Sequence, residues 1–299
     1  MKTVTFAGDS RIEVKDVTAP DLQPGEVLVK VGASAICGSE MKRFRAPDPL
    51  SGNPGHEIVG EVVQRRSDTG PSVGDRVAVN IITGCGECAT CRAGDRRFCD
   101  RQGYVFNGHA EFVVTPAINC MPLPGDVPFD EGVLIGGDTL GVAFHALSKI
   151  CLRPRDTVAV VGCGPVGLGF VRLLSFYGVR TIAAEVSPYR RELARRLGAE
   201  DVVDPGTDDG AAIIREMGGG RGVDIGIDAS GTDAGVNLRS TRRGTKEHSF
   251  LRGLGTRPRS IRGRSSWRRS SLRTVSGTSS IETTSDCSIS TGKVLTSPI

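Results

Sequence analysis

The sequence predicts an α/β chain in three parts: a β-rich first domain over residues 1–150, the beginning of a doubly wound parallel sheet over 151–237, and a disordered basic tail over 238–299. Three observations predict it. Short runs of alternating apolar and polar residues, punctuated by Pro and Gly, fill the opening third. A strand-length apolar run, a glycine-rich turn and a helical pattern follow one another from Thr157 to Gly178. From Leu238 onward Ser and Arg supply 25 of the final 62 residues and periodicity is lost.

At 299 residues the chain is long enough for two domains with substantial cores. Its net charge of +4 hides a split, with +10 from Leu238 to Ile299 and −6 before it. No stretch reaches the apolar length of a transmembrane helix, and the N-terminus lacks the apolar core of a signal peptide, so a soluble cytoplasmic protein is expected. Four of the nine cysteines fall within fifteen residues, which in a reducing compartment points to a metal rather than to disulfides.

In the first domain, IEVKDV and EVLVKVGASAI read as strands on either side of the turn Gln23-Pro24-Gly25. Cys37, Ser39 and Glu40 follow, then a proline-rich loop leading to His56 and Glu57. A thiolate and an imidazole brought together across that loop make a plausible zinc pair. Alone, Cys37 also reads as a small buried hydrophobe and His56 as a hydrogen-bonded loop residue. The segment from Val73 to Val79 reads as a turn and strand.

Next comes Cys85-x2-Cys88-x2-Cys91-x7-Cys99, the most specific local signal in the chain. Four thiolates close a tetrahedron around zinc and leave no position for a substrate, so a structural role is expected, with an iron–sulfur cluster as the rival.

Val158 to Val161 form the strand that enters the turn Gly162, Gly164 and Gly167, with Pro165 and Val166 opening the helix. G-x-G-x-x-G alone is also an ordinary glycine turn. With a strand before it, a helix after it and Glu185 eighteen residues beyond Gly167, it reads as a dinucleotide site. Phosphates would sit at the helix N-terminus, and Glu185 would accept hydrogen bonds from the ribose hydroxyls, favouring NAD over NADP. The closely following Arg190 and Arg191 soften that preference.

Gly55-His56-Glu57, Cys37 with Ser39, the four-cysteine lobe and the turn at 162–167 stand in the order and approximate spacing of the zinc-dependent medium-chain alcohol and polyol dehydrogenases. The chain resembles that family, on its sorbitol and threonine dehydrogenase side, over residues 1 to about 237. The resemblance implies a GroES-like catalytic domain, a Rossmann domain, and a cleft between them holding one catalytic zinc and NAD, with a second, structural zinc in the four-cysteine lobe. It assigns Cys37 and His56 as catalytic zinc ligands, Glu57 as the neighbouring carboxylate, and Asp138 as the third ligand. Asp138 also reads as a helix N-cap. Ser39 resembles the hydroxyl that passes the alcohol proton toward solvent, and also reads as a turn cap; Lys42 stands where the family often has a relay histidine. Glu40 falls at a position behind the ligands, and His109 and His145 read as ordinary structural histidines. The implied reaction passes a hydride from a secondary alcohol or polyol to NAD. A zinc-free quinone reductase of the same fold is disfavoured by Cys37 and the four-cysteine lobe.

The family pattern breaks after the fourth strand, Gly222 to Gly231. A shift of reading frame near Asn237 is expected, against an authentic basic tail or an inert extension, with nonspecific nucleic-acid contact disfavoured. The missing half-sheet sets aside the homo-oligomer that the resemblance implies. It also predicts an unpaired sheet edge, weak NAD binding and aggregation. A catalytically dead zinc-binding fragment is the alternative function.

Overall fold

The alternating runs near the N-terminus fold as antiparallel strands. β1 (Lys2–Gly8) turns through Asp9 and Ser10, whose φ angles of 51° and 60° suit a tight hairpin, into β2 (Arg11–Asp16). β2 has the expected alternation, but all six of its residues are exposed, and among the described residues it pairs with β1 alone. The computed structural model describes residues 1–206, 209–232 and 235, with 249–250 and 274–275, and places them in two units, Met1–Ala143 and a second that starts at Phe144.

In the first unit β3 (Glu26–Ala35) leads through α1 (Met41–Phe44) to β4 (Glu57–Arg66) and β5 (Arg76–Val79). There follow β6 (Ile82–Thr83), α2 (Ala89–Arg92), β7 (Gly103–Tyr104), β8 (Phe112–Pro116), β9 (Cys120–Pro122), α3 (Phe129–Gly136) and the first residues of α4 (Asp138–Leu147), which continues past the unit's end at Ala143. Five strands form an antiparallel sheet in the order β8-β3-β4-β5-β9. The period of two sorts its side chains: Val27, Val29, Ile58, Val62, Val77 and Val113 fill one core, while Val59 and Ala78 meet Leu123 and Val133 in another. Each such valine contributes about 1.5–3 kcal/mol by burial. Val133 lies on α3, so this second core fixes α3 on the sheet and sets where α4 begins.

One pairing positions the chemistry. Ala35 at the end of β3 lies opposite Glu57 at the start of β4. Cys37, two residues past one strand, and His56, one residue before the other, therefore emerge at the same end of the sheet.

The second unit alternates strand and helix: β10 (Thr157–Val161), α5 (Pro165–Phe176), β11 (Arg180–Ala184), α6 (Pro188–Arg196), β12 (Asp201–Val203), α7 (Gly210–Met217) and β13 (Ile225–Asp228). Two-residue strands β14 (Ser249–Phe250) and β15 (Thr274–Val275) complete a parallel sheet in the order β12-β11-β10-β13-β14-β15. That is the order of doubly wound dinucleotide-binding sheets. Ala159, Val161, Ile182, Ala184, Val203 and Ile214 form one of its cores.

The sheet does not end on an unpaired edge at β13, as the composition predicts. Gly226 and Ile227 pair with Ser249 and Phe250. Composition reports how much apolar surface a segment can bury, whereas a free parallel edge recruits backbone N–H and C=O groups, for which two residues suffice. The expected disorder and shift of frame otherwise lie outside the described residues.

Candidate active site and metal centres

The four-cysteine lobe is a loop closed on its own sulfurs. The sulfurs of Cys85, Cys88, Cys91 and Cys99 all lie within 4.8 Å of one another. Cys85 Sγ and Cys91 Sγ are 3.9 Å apart. The edge of a zinc–thiolate tetrahedron is about 3.8 Å for 2.3 Å bonds, so the donor set fits zinc. Backbone N–H groups of Glu87 and Cys88 donate to Cys85 Sγ, that of Cys91 to Cys88 Sγ, and those of Cys85 and Arg101 to Cys99 Sγ. Such donors favour thiolate: the N–H groups of Cys88 and Glu87 bring Cys85 down to about 6, and the Thr90 hydroxyl lowers Cys88. Burial pushes Cys91 the other way, up to about 11, a cost that a bound cation offsets.

The second cluster is mixed. One donor atom each from Cys37, His56, Glu57 and Asp138 lies within 4.8 Å of the others. Asp138 Oδ2 stands 3.6 Å from both Cys37 Sγ and His56 Nε2. The span to His56 is long for a hydrogen bond, that to Cys37 is within reach of a thiol donor, and both lie near the roughly 3.3–3.5 Å edges of a tetrahedral site with sulfur, nitrogen and oxygen ligands. His56 Nδ1 lies 2.8 Å from the Pro54 carbonyl, so its N–H donates there and Nε2 is turned toward the cluster. Without a cation the Asp138 carboxylate, then Cys37, pushes His56 up to about 11. His56 in turn lowers Asp138, while burial and then Asp138 raise Glu57.

Glu57 is also tied down. The Asp138 backbone N–H donates to Glu57 Oε2 at 3.1 Å, across the position of Gly137. A Cβ on Gly137 would overlap that carboxylate oxygen, so glycine at 137 lets the two acids approach. Asp138 thus stands at the start of α4 as a donor facing Cys37 and His56. Ser39 lies exposed in the 3-10 turn Gly38–Glu40, beside buried Glu40.

In the second unit Gly162 has φ +87° and its Cα faces Ser230, against which a Cβ would stand 2.6 Å away. At Gly167 a Cβ would overlap the Gly162 carbonyl oxygen, whereas nothing stands within 4 Å of one at Gly164. The first and third glycines are used for packing and the second leaves backbone open to a ligand. Pro165 and Val166 begin α5 beside it. Glu185, after β11, is buried, and its two oxygens accept from the N–H groups of Cys163 (2.7 Å) and Ser187 (2.9 Å). Arg191 donates to the carbonyls of Glu185 and Val186 and to Asp204, whereas Arg190 is exposed.

Residues 23–125 match the family model described as alcohol dehydrogenase GroES-like domain, and residues 165–278 the one described as zinc-binding dehydrogenase. An uncharacterized zinc-type alcohol dehydrogenase-like protein of Haemophilus influenzae is 30% identical over 251 residues, 81% of this chain and 72% of that one. The chain belongs to the zinc-type alcohol dehydrogenases. A sorbitol dehydrogenase of Bacillus subtilis is 30% identical over 82% of this dehydrogenase and 73% of its own length. Among solved structures, the alcohol dehydrogenase TADH from Thermus sp. ATN1 has a TM-score of 0.76 at 28% identity, covering 88% of this chain and 81% of that one.

The dehydrogenase is therefore an oxidoreductase with a GroES-like part and a Rossmann-type part, and the dead-fragment alternative is not favoured. The zinc-binding dehydrogenase match runs to residue 278, past the boundary expected at Asn237. No helix among the described residues is long and apolar enough to cross a membrane.

The sequence reads His109 as a structural histidine. Its Nε2 lies 2.8 Å from Glu40 Oε2, directly behind the mixed cluster. No spacing links His109 to Cys37 or His56, so no sequence signal could have found it.

Proposed function

We propose that the dehydrogenase oxidises a secondary alcohol or polyol with NAD, reversibly, using the mixed cluster as its catalytic centre and the four-cysteine lobe as a structural zinc site. The observation that carries this reading is the single Asp138 oxygen 3.6 Å from both Cys37 Sγ and His56 Nε2. Three unlike donors converging on one point, with Glu57 alongside, leave a fourth position for a substrate, unlike the closed set of four thiolates. Zinc held by Cys37, His56 and Asp138 supplies Lewis acidity to an alcohol oxygen, and NAD supplies the hydride acceptor.

The remaining work falls to the chain's own side chains. Ser39, exposed beside the cluster, accepts the alcohol proton and passes it to solvent. Glu57, held by the Asp138 N–H, keeps a second carboxylate within reach of the metal. Glu185 offers its carboxylate to the ribose hydroxyls, and the open face at Gly164, with Pro165 and Val166, receives the pyrophosphate at the start of α5. Arg191 is engaged by Asp204 and two carbonyls, which takes one of the two arginines away from a 2′-phosphate and supports NAD over NADP. Thiolate ligands suit the reducing cytoplasm.

The test is NADH formation by the full chain on a panel of secondary alcohols and polyols, with NADP in parallel. Turnover with NAD that Ser39→Ala slows at least tenfold is the expected result. An absence of NADH with every substrate would overturn the reading and return the chain to the fragment alternative.

A further inference from the structure

Behind the mixed cluster lies a buried polar chain that the reaction described above does not use. Glu40 is 1% exposed. Its Oε1 accepts the Cys37 backbone N–H at 3.2 Å and lies 3.6 Å from His56 Nδ1. Its Oε2 lies 2.8 Å from His109 Nε2, and His109 Nδ1 lies 2.8 Å from Ser34 Oγ. Both ring nitrogens are therefore paired: Nε2–H donates to the Glu40 carboxylate, and Nδ1 shares a proton with the Ser34 hydroxyl.

The histidine is itself held on all sides. Its backbone N–H donates to Asn53 Oδ1 at 3.0 Å, and its carbonyl accepts from the N–H of Val4 at 2.9 Å and from Asn53 Nδ2 at 3.3 Å. The imidazole packs close to Gly55, where a Cβ would come within 2.7 Å of the ring. Gly55 is the residue immediately before His56.

We infer that His109 is a positioning residue for the metal centre: through Glu40 it fixes the backbone of Cys37 and the carboxylate that faces the His56 ring, and so sets how tightly that cluster holds its cation. The inference rests on the proposed reading of the mixed cluster as a zinc site. A carboxylate sealed from water keeps its orientation only while its hydrogen-bond donors are in place, and His109 is the donor on the side away from the ligands. Ring packing alone would need neither nitrogen paired, whereas both are.

The experiment compares the full-length protein with His109→Phe, which keeps a ring against Gly55 and removes both polar bonds, and His109→Gln, whose amide restores a donor near the Nε2 position. Zinc per chain is counted, and its release to a chromogenic chelator is followed as separate phases, with Cys37→Ser identifying the phase that belongs to the mixed cluster. Expected is a 10- to 100-fold faster release from the mixed cluster in His109→Phe, an unchanged lobe phase, and recovery in His109→Gln to within about threefold of the parent. Parent-like release from His109→Phe would overturn the inference while leaving the metal site intact. Equal loss from both clusters, with no rescue by Gln, would reduce His109 to a packing residue. A parent protein with a single zinc, unaffected by Cys37→Ser, would overturn both the inference and the reading on which it rests.

Discussion

The two donor clusters are assembled by opposite means. The lobe draws four identical donors from residues 85–99, and its own backbone N–H groups hold the sulfurs. The mixed cluster draws unlike donors from the end of β3, the start of β4 and the start of α4, with Cys37 and Asp138 lying 101 residues apart. A local loop of like donors can close around an ion with nothing left over. Donors delivered by three packed elements keep their geometry because the sheet and α3 hold them, so one position can stay open. The difference teaches that rigidity supplied from outside a site is what lets the site remain incomplete.

The comparison breaks most sharply at Cys37. Replacing it with Ser should lower NAD-dependent turnover by about 10³-fold or more, since the Lewis acid's several kcal/mol are lost, with little change in the thermal midpoint. Cys91→Ala should do the reverse in kind: zinc leaves the lobe and stability falls by about 3 kcal/mol or more, read as a lowered melting temperature. If Cys91→Ala melted like the parent, the lobe would not be the staple proposed here.

Gly137→Ala sharpens the contrast without touching a ligand. Its Cβ would overlap Glu57 Oε2 and come within 2.6 Å of the Val133 carbonyl. We expect destabilisation of about 1–3 kcal/mol and zinc lost only from the mixed cluster. Metal analysis of the purified variant decides it, and equal retention of both ions would sink the cradle argument. The smallest effect belongs to the nucleotide turn. Glu185→Ala should raise the KM for NAD about tenfold, in keeping with the roughly 1.5–3 kcal/mol of a charged hydrogen bond, and leave both zinc ions in place.

How much of this was legible in the sequence follows the same division. The gathering of the lobe's four sulfurs was readable from spacing alone, because the cysteines are neighbours in the chain. So was the turn at Gly162, Gly164 and Gly167, where each glycine's requirement comes from adjacent backbone. Cys37, His56 and Asp138 were legible through the family resemblance and not from spacing, since tertiary packing sets their distances. Gly137 and His109 escaped altogether. Gly137 matters because a carboxylate eighty residues earlier in the chain reaches past it, and His109 because Glu40 does. Periodicity gave β2 correctly as a strand, although Ile12 and Val14 on it are exposed, since alternation reveals pairing geometry and not what covers it. Composition misjudged the edge of β13, where backbone pairing sets the outcome.

The measurement that tests the account most directly is a diffraction experiment on the full chain at wavelengths above and below the zinc absorption edge. Two anomalous peaks are predicted, one enclosed by Cys85, Cys88, Cys91 and Cys99, and one bounded by Cys37, His56 and Asp138 with a position left open. A single peak in the lobe, with Asp138 bonded to His56 and no ion between them, would contradict the division of labour between the two clusters.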